Sequence, residues 1–289
     1  MSETPSLLVF GAGYLGRWTL DAAAARGWST AGTSRDPDIR TSLSQGGHQA
    51  IDPTDPVALA QAVSNASAVL VTAAPDGQGC PGLRALTPAL SASGASPDWI
   101  GYISTTGVYG DRAGGWVFED DALNAATLEG ARRVAAERDW LDIGRGMGLT
   151  VQIFRLPAIY GPGRSPLDKF RDGSARLVRK PGQVFNRIHV ADAVDGLFAS
   201  MGRPRPGAIY NLADDEPAPA EVVILGAAER LGVPPPPETN LDDPQVSDAM
   251  RRFYVDSKRV ANARAKAELG WRPKHPSWRD GLEALIANS

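Results

Sequence analysis

The chain is poor in the residues that most often reveal chemistry by their spacing. It has one cysteine, Cys80, so no intrachain disulfide can form and a disulfide-stapled extracellular scaffold is excluded. Cys80 lies in Gly-Gln-Gly-Cys-Pro with no histidine close in sequence, which is the setting of an incidental thiol rather than a nucleophile. The three histidines, His48, His189 and His275, are scattered without metal-ligand spacing, so no metal is expected. Charge of one sign is lacking too. The formal net charge is -3, which leaves no basic surface for nucleic acid. No apolar run approaches the roughly 20 residues of a membrane-spanning helix. Met1 to Ser6 is polar without a basic start, and the apolar run after it is too short for a signal core, so a cytoplasmic chain without membrane partners is expected.

What is present suits a globular protein: 289 residues, 43% hydrophobic and 22% charged, enough to bury a substantial core. Short apolar runs at 7–10, 29–32, 48–51, 68–72, 99–104 and 150–156 read as strands. Helical stretches alternate with them at 16–26, 56–64, 83–93 and 123–144. That rhythm predicts an α/β fold, a doubly wound parallel sheet with helices on both faces. The runs are almost wholly apolar, as strands covered on both faces should be. After residue 159 the rhythm breaks. Residues 184–190 and 208–212 read as strands, 219–231, 260–269 and 278–287 as helices, and 234–237 as a four-proline spacer. The expected division is 1–159 and a smaller α+β domain at 160–289, with about 188–212 returning to the first.

The strongest local signal is Leu7-Leu8-Val9-Phe10-Gly11-Ala12-Gly13-Tyr14-Leu15-Gly16. It is a G-x-G-x-x-G between a strand and a helix. Gly11 permits the tight turn, Gly13 lets backbone approach a pyrophosphate, and Gly16 lets the helix pack closely on the strand. The backbone of Tyr14 and Leu15 opens the helix, whose free N–H groups and dipole favour phosphate. In this strand–turn–helix context the motif predicts a Rossmann dinucleotide site. An NAD site usually carries Asp or Glu at the end of the second strand. Here the chain reads Ala31-Gly32-Thr33-Ser34-Arg35. Arg35 and Ser34 suit a 2′-phosphate, so NADP is expected, with NAD the alternative. A solvated Arg35 is the competing reading.

The order of several further motifs resembles the extended short-chain dehydrogenase/reductases, the NAD-dependent epimerase/dehydratase family. They are Gly11 to Gly16, Thr72-Ala73-Ala74-Pro75, Ile103-Ser104-Thr105-Thr106-Gly107-Val108-Tyr109-Gly110, Arg155-Leu156-Pro157-Ala158-Ile159-Tyr160-Gly161-Pro162-Gly163, Arg187-Ile188-His189-Val190-Ala191-Asp192 and Glu268-Leu269-Gly270-Trp271-Arg272-Pro273. The resemblance implies a Rossmann core with a smaller substrate domain. It implies that Thr72, Ala73, Ala74 and Pro75 pass under the cofactor, Pro157 and Ile159 lie near the nicotinamide, and Asp52 contacts adenine. For Asp52, a turn before Pro53 is an equal reading.

The family acts through a Ser/Thr, a Tyr and a Lys, the last two in Y-x-x-x-K with a Glu four residues on. Thr105 matches the hydroxyl position. Anchoring on Glu137 puts Arg133 where Lys belongs and Glu129 where Tyr belongs. The resemblance therefore points to an atypical member. Arg133 can hold a ribose but stays charged. Glu129 can act as acid only in a dry pocket. Tyr109 and Tyr160 are rival proton donors, and each of the three has an ordinary structural alternative. On the substrate side, Thr106, Tyr160, Arg164, Asn186 and Arg187 are candidates. The Arg/Lys-rich stretch from Arg164 to Arg187 is either an anion-binding wall or a solvated loop.

The expected function is an NADP(H)-dependent oxidoreductase acting on a small organic molecule with non-standard acid–base residues. The alternatives are an NADP(H)-binding redox sensor without turnover and a nucleotide-sugar epimerase or dehydratase. Monomer and homodimer are both open, since Trp140 on the long helix serves either a dimer contact or the core.

Overall fold

A computed structural model describes residues 4–244 and 246–287 of the chain. Its strands are β1 (Ser6–Phe10), β2 (Ser29–Thr33), β3 (Gln49–Ile51), β4 (Ala68–Val71), β5 (Trp99–Thr105), β6 (Trp116–Val117), β7 (Val151–Leu156), β8 (Ala158–Tyr160), β9 (Arg187–His189), β10 (Ile209–Asn211) and β11 (Arg259–Val260). Its helices are α1 (Tyr14–Ala24), α2 (Pro37–Gln45), α3 (Pro56–Asn65), α4 (Pro81–Ser93), α5 (Leu128–Met147), α6 (Pro166–Arg171), α7 (Val190–Met201), α8 (Ala220–Leu231), α9 (Asp248–Phe253), α10 (Ala263–Leu269) and α11 (Trp278–Ala287). The chain clusters into two units. The first holds the chain to Ser104, Ala131–Arg155 and Leu197–Tyr210; the second holds Thr105–Gly130, Leu156–Gly196 and the chain from Asn211.

The first unit is built on a seven-stranded sheet in the order β10-β7-β5-β4-β1-β2-β3. β1 pairs in parallel with β2 on one side and β4 on the other, so the chain winds outward in both directions from β1. Leu8 lies opposite Ala31 and Val69, and Phe10 opposite Thr33 and Val71. β4 is buried at every residue, the reason its run carries no polar alternation. The helices on the sheet begin where short-range chemistry dictates. Asp36 caps α2 by accepting from Asp38 N at 2.9 Å, and Asp55 caps α3 by accepting from Val57 N and Ala58 N at 3.0 Å each. Proline at the first helical position follows both caps. Trp140 of α5 is fully buried and stacks on Tyr102 of β5 with ring centroids 6.1 Å apart, so its indole belongs to the core.

The second unit contains two small parallel pairs, β6 with β11 and β8 with β9. Its apolar core gathers Tyr160, Leu167, Val223, Ala227, Trp278 and Leu282 from β8, α6, α8 and α11. A clasp built on Asp192 of α7 fastens the C-terminal segment. Its carboxylate accepts from Lys274 N at 2.7 Å, His275 N at 3.0 Å and His275 Nδ1 at 2.9 Å, and its carbonyl accepts from Trp271 Nε1 at 3.0 Å.

Several elements differ from the sequence expectation. Residues 105–130, expected in the first domain, cluster with the second unit, because the chain leaves β5 through a 3₁₀ turn and β6 then pairs with β11. The returning segment is Leu197–Tyr210, shorter than the expected 188–212. The long helix starts at Leu128, where Thr127 Oγ1 accepts from Gly130 N at 3.0 Å, rather than at 123. The helix expected at 260–269 starts later, at Ala263, with Val260 ending β11.

Candidate functional site

In the first unit, Gly11 and Gly16 have the steric roles that their spacing predicts. Gly11 takes φ of +97°, and a Cβ there would lie 2.9 Å from Ala73 N and 3.1 Å from Thr72 Oγ1. Thr72 Oγ1 donates to the Gly11 carbonyl, and Thr72 N donates to Phe10 O at 3.0 Å, so the end of β4 holds the turn from beneath. A Cβ on Gly16 would meet Gly11 O and Val9 Cγ1 at 2.9 Å each, which enforces close packing of α1 on β1. A Cβ on Gly13 would meet nothing within 4 Å. The space over Gly13 is open, α1 has no side-chain cap, and its first turn has no acidic residue. These features fit a dinucleotide pyrophosphate.

The residues expected to meet the adenosine lie past β2. Thr33 anchors the loop, its Oγ1 accepting from Gly11 N at 3.0 Å and its carbonyl accepting from Ala12 N at 2.8 Å. Ser34 Oγ accepts from Asp36 N at 3.1 Å. Arg35 is exposed and, among the described residues, its guanidinium has no hydrogen-bond or ion-pair partner. The organising cation here is Arg40, which sequence reading passed over because α2 is mostly polar and was not anticipated. Arg40 Nη1 donates to Ser34 O at 2.7 Å and Arg35 O at 2.9 Å, and lies 3.2 Å from Asp52 Oδ2. Asp52 Oδ1 accepts from Thr54 N and Thr54 Oγ1, and these bonds hold its carboxyl below the usual range. The turn reading of Asp52 is therefore realised, although its second oxygen serves Arg40.

Arg133, at the position of the family lysine, turns its guanidinium into β5. Nη1 donates to Ile103 O and, at 3.2 Å, to Tyr102 Oη, with the cation 5.7 Å from the Tyr102 ring centroid. That donor is spent on the sheet, so Arg133 as a cofactor clamp has only its remaining N–H groups to offer. Glu137, one turn on, forms a buried ion pair with Arg155, Oε2 to Nη2 at 2.7 Å, and accepts from Ser104 Oγ. This explains why Glu137 and Arg155 belong to the recognisable pattern: they tie α5 to β5 and β7.

In the second unit a cavity of about 570 Å³ is lined by Thr105, Thr106, Glu129, Pro157, Ile159, Arg164, Phe185 and Asn186, together with Arg252, Phe253, Asp256 and Lys258. The structure thus gathers seven of the expected residues round one space. The expected roles fare unequally. Thr105 Oγ1 accepts from Gly107 N at 3.2 Å, keeping its rotamer while its proton stays available. Glu129 lines the cavity but is exposed, so it lacks the dry pocket an acid role requires. Asn186 has both ends of its amide committed, donating to Lys258 O at 2.9 Å and accepting from Val260 N at 2.8 Å. These bonds stitch it to the strand β11 and its neighbour Lys258, leaving one amide N–H to the cavity it lines. Tyr109 is corrected outright. It is fully buried and its hydroxyl donates to Asn211 Oδ1 at 2.8 Å, so its ring packs instead of facing the cavity.

Two neighbouring cavities share lining residues with this one. One of about 430 Å³ is lined by Lys169, Arg176 and Arg187 among apolar residues including Val178, Phe185 and Met250, with no acid in its wall. The other, about 230 Å³, is lined by Tyr160, Arg164, Arg187 and Trp278. The Tyr160 hydroxyl is buried without a hydrogen-bond partner, and burial pushes its pKa above the ordinary phenol value, which makes it a weak proton donor. Arg187 Nη1 donates to Phe185 O and Ala218 O at 3.1 Å each. Asp214 is buried and, among the described residues, neither carboxylate oxygen has a hydrogen bond of good geometry; burial drives its pKa up to about 8, against the opposing pull of Arg187 and the Glu216 backbone N–H.

His189, Asp192 and His275 come together, with one ligand atom from each within 4.8 Å of the others, although their spacing gave no such signal. Because the Asp192 oxygens already accept from Lys274 N, His275 N and His275 Nδ1, the trio reads as the clasp of the C-terminal segment. Among residues missed from sequence, Lys258 and Asp256 stand out. Their only signal was a short polar run, Asp256-Ser257-Lys258-Arg259, between Val255 and Val260.

The chain belongs to the NAD dependent epimerase/dehydratase family, whose model matches residues 7–213. It is 35% identical over 141 residues to the 3-diazoavenalumate denitrifying reductase of a Streptomyces species, a match covering 45% of each protein. The chain thus matches about half the length of that relative. A functionally unknown conserved protein from Silicibacter pomeroyi DSS has 43% identity and a TM-score of 0.91, covering 99% of both chains. MoeE5 in complex with UDP-glucuronic acid and NAD is 24% identical with a TM-score of 0.78 over 98% of both chains, and shares the fold. Among the described residues, no helix is long and apolar enough to cross a membrane.

Proposed function

We propose that this protein is an NADP(H)-dependent oxidoreductase that reduces a small organic substrate. The observation that carries the reading is the exposed, partnerless Arg35 at the end of β2, where an NAD-preferring site places an acid. An unengaged guanidinium suits a 2′-phosphate, which it can meet bidentately, with Ser34 beside it. The open space over Gly13 receives the pyrophosphate. A reductase among the relatives agrees with the direction of reaction.

A bound reduced nicotinamide supplies hydride. The protein's part is to bind and orient. Thr105 holds the substrate oxygen by its hydroxyl, and Pro157 and Ile159 supply apolar walls to the same cavity. Lys169, Arg176 and Arg187, in a cavity wall that carries no acid among the described residues, suit a negatively charged group on the substrate.

The test is titration of the protein with NADPH and, separately, NADH, followed by quenching of its 7 tryptophans and by calorimetry. NADPH should bind at least about tenfold more tightly, ~1.4 kcal/mol, and Arg35→Ala should erase the difference. Equal affinities in the unmodified chain would overturn the NADP assignment. NADPH consumption is then followed against aldehydes, ketones, imines and enones. Tight binding with no consumption across that panel favours a sensor, a reading that the replacement of the family Tyr and Lys by Glu129 and Arg133 also supports.

A further inference from the structure

We propose that Lys258 protonates the substrate oxygen in the cavity that holds Thr105, the task left open by Glu129 at the family's tyrosine position; this rests on the reductase reading above. Lys258 is only 6% exposed, yet it lines that cavity. Among the described residues its ammonium has one hydrogen-bond partner, Asp256 Oδ2 at 3.2 Å. An ammonium has three N–H donors, so two are unspent. The other oxygen of Asp256 is buried and also without a partner. Donors that the protein itself does not use are open to an acceptor in the cavity, water or a substrate oxygen.

The alternatives in the same wall are weaker. Arg164 and Arg252 stay charged and release no proton. Glu129 is exposed, Tyr109 is tied to Asn211, and the Tyr160 hydroxyl is buried beside a neighbouring cavity. Lys258 alone combines a transferable proton with an environment that favours its release. Burial draws its pKa below the ordinary lysine value, and Arg112 adds to that, while Asp256 and Asp111 oppose it. Glu129, Arg164 and Arg252 are the remaining charges on the cavity wall.

The step balances as a reduction. The substrate carbonyl carbon accepts hydride from the reduced dinucleotide, and the C=O π pair moves to oxygen. The N–H bond of the Lys258 ammonium breaks as the O–H bond forms. An alcohol, the oxidised dinucleotide and a neutral amine result, and the amine regains its proton from water.

The first test needs no known substrate. The protein is treated at pH 7 with benzaldehyde and cyanoborohydride, and alkylation of its lysines is followed by peptide mass mapping. Lys169, Lys180, Lys266 and Lys274 are internal references. Lys258 should be alkylated at least about tenfold faster than any of them, because it lines the cavity and burial draws its pKa below the ordinary lysine value. Labelling at or below the reference rates would overturn the proposal, leaving a structural ion pair. NADPH binding is measured on the same preparation. Binding without rapid labelling removes Lys258 alone; rapid labelling without binding removes the reductase reading, and proton donation with it. With a carbonyl from the panel that turns over, Lys258→Arg keeps the charge beside Asp256 but donates no proton. Its kcat should fall at least about 100-fold, with KM changed less than about threefold. A wild-type kcat in a folded Lys258→Arg protein would refute the assignment.

Discussion

Gly13→Ala and Gly16→Ala should separate cofactor binding from folding within one loop. At Gly13 the backbone has φ of -75°, which alanine adopts freely, and nothing lies within 4 Å of an added Cβ. Alanine there gains about 0.4–1 kcal/mol by restricting the unfolded chain. It loses a similar amount because glycine is the better N-cap residue. Stability should therefore change by less than about 1 kcal/mol, no more than ~4 °C in Tm. On the proposed reading the methyl group takes the space of the pyrophosphate, so NADPH affinity should fall at least about tenfold, ~1.4 kcal/mol. At Gly16 the added Cβ meets Gly11 O and Val9 Cγ1 at 2.9 Å. The carbonyl is held by the Thr72 hydroxyl and cannot withdraw freely. Overpacking of about 1–3 kcal/mol then opposes a helix-propensity gain of about 1 kcal/mol, and the protein should be destabilised. Thermal unfolding and NADPH titration on the same samples read both effects. A Gly13→Ala protein that binds NADPH as tightly as the unmodified chain would refute the pyrophosphate assignment.

Two further predictions follow from buried groups. Asp214, with a folded-state pKa near 8 against 3.8 ordinarily, binds its proton more tightly when folded. Its stabilising contribution is therefore present at low pH and is lost as pH rises toward 8. His189 has its pKa lowered to about 4 by burial, so it titrates between pH 4 and 6.5 and leaves the interval above 6.5 to Asp214. Urea unfolding at pH 6.5 and pH 8 should show wild-type stability falling with pH and Asp214→Asn nearly flat; parallel slopes would contradict the burial argument. Tyr109→Phe removes the hydrogen bond to Asn211 and should cost about 0.5–1.5 kcal/mol without altering NADPH consumption; loss of turnover in the folded variant would restore Tyr109 to the catalytic candidates.

The strands of the parallel sheet were legible because burial on both faces leaves apolar runs that need no tertiary information, as at Leu7 to Phe10 and Ala68 to Val71. Helices that bury little were not. α2 buries only Leu43, and its one local sign was Asp36 followed by Pro37. α7 continues directly from β9 through the apolar Val190, so the strand–helix junction has no punctuation in sequence.

Sequence alone determined the turn after β1, since a tight turn demands glycine at 11 and a close helix demands it at 16 whatever surrounds them. It also determined the family, through the order of short motifs, and the loss of the usual Tyr and Lys at Glu129 and Arg133. Only the tertiary structure decided which side chains keep a free polar group. Tyr109 and Asn186 look fully available in sequence, but the Tyr109 hydroxyl is bonded to Asn211 and the Asn186 amide is held by Lys258 O and Val260 N. Lys258 looks ordinary, yet it is buried at a cavity wall more than 100 residues after Thr105. Hydrogen-bond satisfaction is a property of three-dimensional neighbours, so residue type and spacing cannot reveal it.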